Sequence, residues 1–154
     1  MNKTYLNIFY LLIFVFFNIN AFSEENKKTI INVEADQLIT TQNPLKSEFI
    51  GNVYAFDHEN FFWGDKMIIH YDANKKIKLI NLEKNVTVKR INEEATGNFA
   101  SYNPKTDTIE IIGDVIVLKD KNILHGEKLT IDLISSTSII TGNDDKQVSV
   151  KIVQ

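Results

Sequence analysis

The stretch Gly51 to Tyr71 reads GNVYAFDHENFFWGDKMIIHY, and the way its two ends echo each other decides the fold. Gly51-Asn52 leads into Val53-Tyr54-Ala55, and thirteen residues on Gly64-Asp65-Lys66 leads into Met67-Ile68-Ile69-His70-Tyr71. Both runs carry the period-two patterning of half-buried strands. Between them Asp57-His58-Glu59-Asn60 is a cluster of turn formers.

Both motifs recur along the chain. The first, a small residue followed by a polar one, stands at Ala35-Asp36-Gln37-Leu38, Gly64-Asp65-Lys66-Met67, Gly97-Asn98-Phe99-Ala100 and Gly126-Glu127-Lys128-Leu129, where it opens an apolar strand. The second stands at Gly51-Asn52-Val53, Lys84-Asn85-Val86 and Gly113-Asp114-Val115. From the second motif to the next first motif the step is 13 residues all three times. The return steps are 16, 20 and 16, and 16 again to Gly142-Asn143, with the four extra residues around Tyr71 to Leu82. A fixed step of this kind marks a stacked supersecondary unit.

Further strand runs are Asn85-Val86-Thr87-Val88-Lys89, Asp114-Val115-Ile116-Val117 and Leu129-Thr130-Ile131-Asp132-Leu133. Turn clusters at Asp72-Ala73-Asn74-Lys75, Asn103-Pro104-Lys105, Lys119-Asp120-Lys121-Asn122 and Ser135-Ser136 punctuate them, and no segment after residue 24 shows a 3.6 period. The expectation is an all-β domain, an open two-sheet roll of repeated antiparallel hairpins. Alternation puts Val53, Ala55, Met67, Ile69, Tyr71, Val115, Val117, Leu129, Ile131 and Leu133 on its inner face, with Val86 and Val88 added by repeat alignment.

Few large aromatics fall on that face, and an open roll leaves its ends uncapped. Such a slot suits acyl chains, which gain about 0.8 kcal/mol per buried CH₂. The same residues also suit the dry core of a structural or adhesive β-repeat protein. At the two ends, Thr29-Ile30-Ile31-Asn32-Val33 and Gln147-Val148-Ser149-Val150-Lys151-Ile152-Val153 are strand formers that could extend a partner's sheet. One end meeting the opposite end of another copy would build a head-to-tail homo-oligomer.

The chain of 154 residues opens with Met1-Asn2-Lys3-Thr4, then thirteen residues from Tyr5 to Phe17 interrupted once, by Asn7. That run is short for a membrane span and fits the apolar region of an export signal. The expected organisation is a signal peptide over 1–23 and one domain over 24–154, with cleavage near Ala21 or Ser23. The alternative is an uncleaved inner-membrane anchor.

No cysteine is present, so disulfides and thiolate chemistry are excluded. The net charge is −3 with the signs mixed and no basic stripe, which argues against a nucleic-acid partner. His58, His70 and His125 have no metal-ligand spacing, and the turn carboxylates Asp57, Glu59, Asp144 and Asp145 come without a Trp-rich sugar cleft. Trp63 is the sole Trp, beside a repeat motif, where packing is its expected role. No nucleophile elbow or phosphate loop occurs. The expectation is no enzyme, no metal and no cofactor.

Several segments resemble the LptA/OstA family. They are Val33-Glu34-Ala35-Asp36-Gln37-Leu38, Phe49-Ile50-Gly51-Asn52-Val53, Trp63-Gly64-Asp65-Lys66-Met67 with His70-Tyr71-Asp72, and Ala95-Thr96-Gly97-Asn98 with Tyr102-Asn103. Ile112-Gly113-Asp114-Val115 and Leu124-His125-Gly126-Glu127-Lys128-Leu129 complete the set, which spans about residues 30 to 142. The resemblance implies a periplasmic β-jellyroll that binds the lipid A acyl chains of lipopolysaccharide in its interior. It also implies a bridge between inner-membrane and outer-membrane lipopolysaccharide-transport components, joined through edge strands. An inner-membrane-anchored component of the same pathway is the related alternative. Parity and resemblance together give Ile31, Val33, Val53, Met67, Ile69, Val86, Val88, Tyr102, Val115, Val117 and Ile131 as the expected lipid-facing residues. Lys84, where the family pattern favours glycine, is a departure.

Overall fold

The computed structural model describes residues 31–57 and 59–153; the expected export signal and His58 lie outside the described residues. Every described element is a strand: β1 Asn32–Glu34, β2 Gln37–Gln42, β3 Leu45–Phe56, β4 Phe61–Tyr71, β5 Ile77–Arg90, β6 Glu93–Asn103, β7 Thr108–Lys119, β8 Asn122–Asp132, β9 Thr137–Thr141 and β10 Ser149–Lys151. β3 to β8 form an antiparallel meander. β1 and β2 both pair with β3, on successive halves of it, and β9 and β10 divide β8 in the same way.

Side-chain oxygens close the hairpins. Asp57 Oδ1 accepts from the Asn60 amide at 2.9 Å, and Asp72 Oδ1 from the amides of Asn74 and Lys76 at 2.8 and 2.9 Å. Asn103 accepts from Lys105 N at 3.0 Å, and Asp132 from Ile134 N and Ser135 N, both at 2.9 Å. A short polar side chain bonding the backbone two to four residues on replaces the ladder bonds lost in a turn.

Ala35-Asp36 opens β2 as expected, but the repeated motifs from Gly51-Asn52 to Gly126-Glu127 stand in mid-strand instead of opening the strands. Registers slip between Ile50 and Val53, Trp63 and Lys66, Glu83 and Val86, Thr96 and Phe99, and Ile112 and Val115. At each slip the extra residue belongs to β3, β5 or β7, the strands that carry the second motif. Both motif residues there have positive φ: Gly51 +80° and Asn52 +44°, Lys84 +61° and Asn85 +50°, Gly113 +88° and Asp114 +47°. Consecutive left-handed residues favour Gly, Asn or Asp, and a bulge bends its strand. The spacing of 13 and 16 therefore measures the distance from one bend to the next.

Lys84 occupies a left-handed position in which an L side chain costs roughly 1–2 kcal/mol. Lys84→Gly should stabilise the domain by about 0.5–1 kcal/mol after the larger entropy of the unfolded glycine chain is subtracted. A rise in melting temperature of the mature chain checks it.

Across each bend the first motif of one strand meets the second motif of the next. Asn52 Nδ2 donates to Asp36 Oδ2 at 2.8 Å, and Asn85 Nδ2 donates to both Asp65 oxygens at 3.0 and 3.1 Å. The Asp36 amide donates to the Gly51 carbonyl at 3.0 Å. The alternating motifs are thus two halves of one crease that runs across the meander.

The crease folds the sheet into two walls. The first wall holds residues 37–42, 45–50, 66–71, 77–83, 99–103, 108–112, 128–132 and 137–141; the second holds 32–34, 53–56, 61–64, 86–90, 93–97, 115–119, 122–126 and 149–151. Their inner faces share a single hydrophobic cluster.

On the outer face of the first wall, Glu48 pairs with Lys46 and Lys66 at 2.5 and 2.9 Å. Bonds from Lys46 first, then Lys66, hold its carboxyl down at about 2, against an ordinary 4.5. The folded state therefore binds this proton more weakly than the unfolded chain does. The stabilisation is fully present above the ordinary 4.5 and is lost as pH falls through about 2. Glu48→Gln should melt below the native protein at pH 6, with the gap closing between pH 4.5 and 2; thermal melts at stepped pH read it.

Candidate functional site

The two inner faces differ in texture. The second wall offers mainly short side chains, Val53, Ala55, Val86, Val88, Ala95, Val115 and Val117, with Phe62 the exception. The first wall offers mainly long ones, Met67, Ile69, Ile80, Leu82, Ile109, Ile111, Leu129 and Ile131, with Ala100 the exception. All of these are buried, and no polar or charged residue is buried among the described ones. The space between the walls is filled by these side chains, which pack into one continuous apolar layer.

Of the residues expected to face lipid, Val53, Met67, Ile69, Val86, Val88, Val115, Val117 and Ile131 lie in the centre of this cluster. Ile31, Val33 and Tyr102 pack against it, partly buried. The structure brings all of them onto one inner surface. Reading forward from each motif overlooked Phe62, Ile80, Leu82, Ala95, Ala100, Ile109 and Ile111. Most of them lie on the half-strand before a motif. Crossing a first-type motif also switches the buried parity, from Phe62 and Gly64 to Met67 and Ile69. The alternation Ile109-Glu110-Ile111 was the signal that could have found them.

Opposite the crease, the walls end in two rows of hairpin turns. A cleft opens there, lined by Ile31, Asp57, Asn60 and Phe62 from the second wall and its turn, and by Met67, Ile80, Leu82, Tyr102, Ile109 and Leu133 from the first. Its cavity volume is about 20 Å³, room for a water molecule. The walls are joined by backbone at the crease and elsewhere by side-chain packing.

Polar groups mark the entrance. Tyr102 donates its hydroxyl to Asp107 Oδ1 at 2.7 Å. Burial, then that bond to Asp107, pushes the Tyr102 phenol well above its usual range, so it stays a neutral donor. Asn60 donates through Nδ2 to the Asp57 carboxylate at 2.8 and 3.0 Å, while its buried Oδ1 has no partner.

At both ends of the apolar layer, side chains of the inner parity are exposed to solvent. At one end Leu38 of β2, opposite Phe49, is 57% exposed. At the other, Val150 of β10, opposite Leu124, is 51% exposed, with Val148 and Ile152 at the same parity also exposed. The expected end strands are shorter than the sequence runs: β1 is Asn32–Glu34 and β10 is Ser149–Lys151, and residues 29 and 30 lie outside the described residues. Among the described residues, no three His, Asp or Glu side chains lie together in a way that could hold a metal ion.

A protein family described as LptA/(LptD N-terminal domain) LPS transport protein matches residues 32–137, more than half of the chain. Among solved structures the fold is similar to that of LptH from Pseudomonas aeruginosa, described as the LptA homologous periplasmic component of the conserved lipopolysaccharide transport device. The two superpose with a TM-score of 0.72 at 15% identity, over 82% of this chain and 96% of that one. No curated protein sequence matches the chain.

Proposed function

This chain belongs to the LptA/(LptD N-terminal domain) LPS transport protein family, and from that premise we propose that it is a non-catalytic periplasmic carrier of lipopolysaccharide between the inner and outer membranes. The acyl chains lie between the two walls, against Ile31, Val33, Val53, Met67, Ile69, Val86, Val88, Tyr102, Val115, Val117 and Ile131. The observation that carries the reading is the apolar layer between the walls: a single hydrophobic cluster, free of buried polar residues among the described ones, with apolar side chains exposed on the end strands. Each methylene placed there gains about 0.8 kcal/mol, which offsets the packing lost when the walls part.

The short strands β1 and β10 expose one edge each, so the partners are inner-membrane and outer-membrane transport components, or further copies head to tail, that add a strand to the sheet. The export signal is removed near Ala21 or Ser23.

The test has two arms. The mature chain should capture lipopolysaccharide from detergent-free dispersions, and depletion in the native host should leave lipopolysaccharide stalled at the inner membrane. Capture of none, with normal delivery after depletion, would instead make this a structural β-repeat protein with a dry core.

A further inference from the structure

The outward face of the second wall carries a feature the slot does not use. Tyr54 and Phe56 of β3 alternate with buried Val53 and Ala55, and Phe61 and Trp63 of β4 alternate with buried Phe62, so all four rings point away from the core. Ring centroids are 5.5 Å apart for Tyr54 and Phe56, 5.4 Å for Tyr54 and Trp63, and 6.3 Å for Phe61 and Trp63, with planes inclined by 25°, 29° and 22°. Full overlap would bring atoms to roughly 3.5–4 Å. At the observed spacing the rings overlap only in part, in the offset manner, and all four side chains are half-buried, so part of each stays accessible. The result is a shingled, half-buried aromatic patch on the outer face of this strand pair.

Its surroundings are polar. On β5, Thr87 stands opposite Trp63 and Lys89 opposite Phe61. Ring faces bordered by a hydroxyl and an ammonium suit a sugar, whose C–H faces lie on the rings while its hydroxyls reach the border. Nucleic-acid bases would also stack on such rings but need a cationic groove. Here the net charge is −3, and Lys89 lies 3.8 Å from Glu94.

Position decides the occupant. Phe56 and Phe61 flank the turn Asp57 to Asn60, and Asp57 and Asn60 line the cleft on the other side of that turn. A glycolipid with its acyl chains in the cleft would carry its head group over this turn and onto the rings. Resting on the carrier reading above, we infer that Tyr54, Phe56, Phe61 and Trp63 form a saccharide platform for the oligosaccharide of the lipid whose chains occupy the slot.

Trp63 is the only Trp of the chain, so its emission reports on the platform directly. The mature chain is titrated with lipid A alone and with the same lipid A bearing its core oligosaccharide. The sugar-bearing probe should bind about fivefold tighter and shift Trp63 emission, while lipid A alone leaves the emission unmoved. The double substitution Tyr54→Ser with Phe61→Ser should equalise the two affinities and keep that for lipid A within about twofold. If the pair fails to fold, Phe61→Thr alone, a good strand former, should narrow the difference in the same direction.

Equal affinities with a silent Trp63 would overturn the platform, as would a preference that survives the double substitution. A Trp63 response to lipid A alone would assign the rings to the lipid surface instead. All three outcomes leave the carrier reading standing. Failure of both probes to bind removes the carrier reading and the platform together.

Discussion

Ile111→Asp should prevent the domain from folding, whereas Ile112→Asp, one residue further on, should leave stability within about 0.5 kcal/mol of native. Ile111 is 0% exposed on the inner face of the first wall, and Ile112 is 36% exposed on the outer face. A carboxylate at 111 would sit in a cluster with no buried polar residue to receive a hydrogen bond. An unpaired buried charge costs well above 4 kcal/mol, a large part of the roughly 5–15 kcal/mol that holds a domain together. At 112 the same carboxylate meets water, and Lys128 lies directly opposite on β8. Circular dichroism and urea titration of the two variants separate the cases. Equal tolerance of both would mean that the walls do not enclose a core.

The second large effect falls on the crease. Gly51→Val and Gly113→Val should each cost about 3 kcal/mol or more, and Gly64→Ala no more than about 1 kcal/mol. At Gly51, φ +80°, an added Cβ would stand 2.4 Å from Asp36 Oδ2; at Gly113, φ +88°, it would stand 2.7 Å from Asn98 Nδ2. A β-branched residue is strained at such φ, and the clash also breaks the seam between the motifs. Gly64 has no positive φ, and its nearest neighbours would be at 3.5–3.6 Å, ordinary contact. Midpoints of urea denaturation give the ranking. If Gly64→Ala proved as costly as the other two, the crease would depend on something other than left-handed bulges.

Much of the architecture was legible because it is written twice. The steps of 13 and 16 residues between Gly-Asn and Gly-Asp motifs are the distances between bends, and the turn clusters at Asp57, Asp72, Asn103, Lys119 and Ser135 coincide with strand ends. The alternations Val53/Ala55, Met67/Ile69 and Val115/Val117 placed inner faces correctly. What stayed hidden was the location of the motifs inside continuous strands. A bulge keeps both neighbours extended, so a motif in mid-strand and one at a strand start look alike in sequence. For the same reason the parity switch at Gly64, Gly97 and Gly126 was invisible, and Phe62, Ala95 and Leu124 escaped notice.

Pairing between distant residues was hidden as well. Nothing in one dimension says that Asn52 will bond Asp36, or Asn85 bond Asp65, although both contacts join the two alternating motifs. The candidate cargo came from resemblance to a family. The residues themselves supply an apolar layer between two walls, and such a layer does not discriminate among chains of methylenes.

The central claim is that lipopolysaccharide travels between the walls, and crosslinking by parity tests it most directly. A photo-crosslinker placed at Val53 or Ile69, both buried on the inner faces, should capture lipopolysaccharide in the native host. The same group at Asn52 on the crease or Ile68 on the outer face should capture none. Equal capture at both parities would contradict the account.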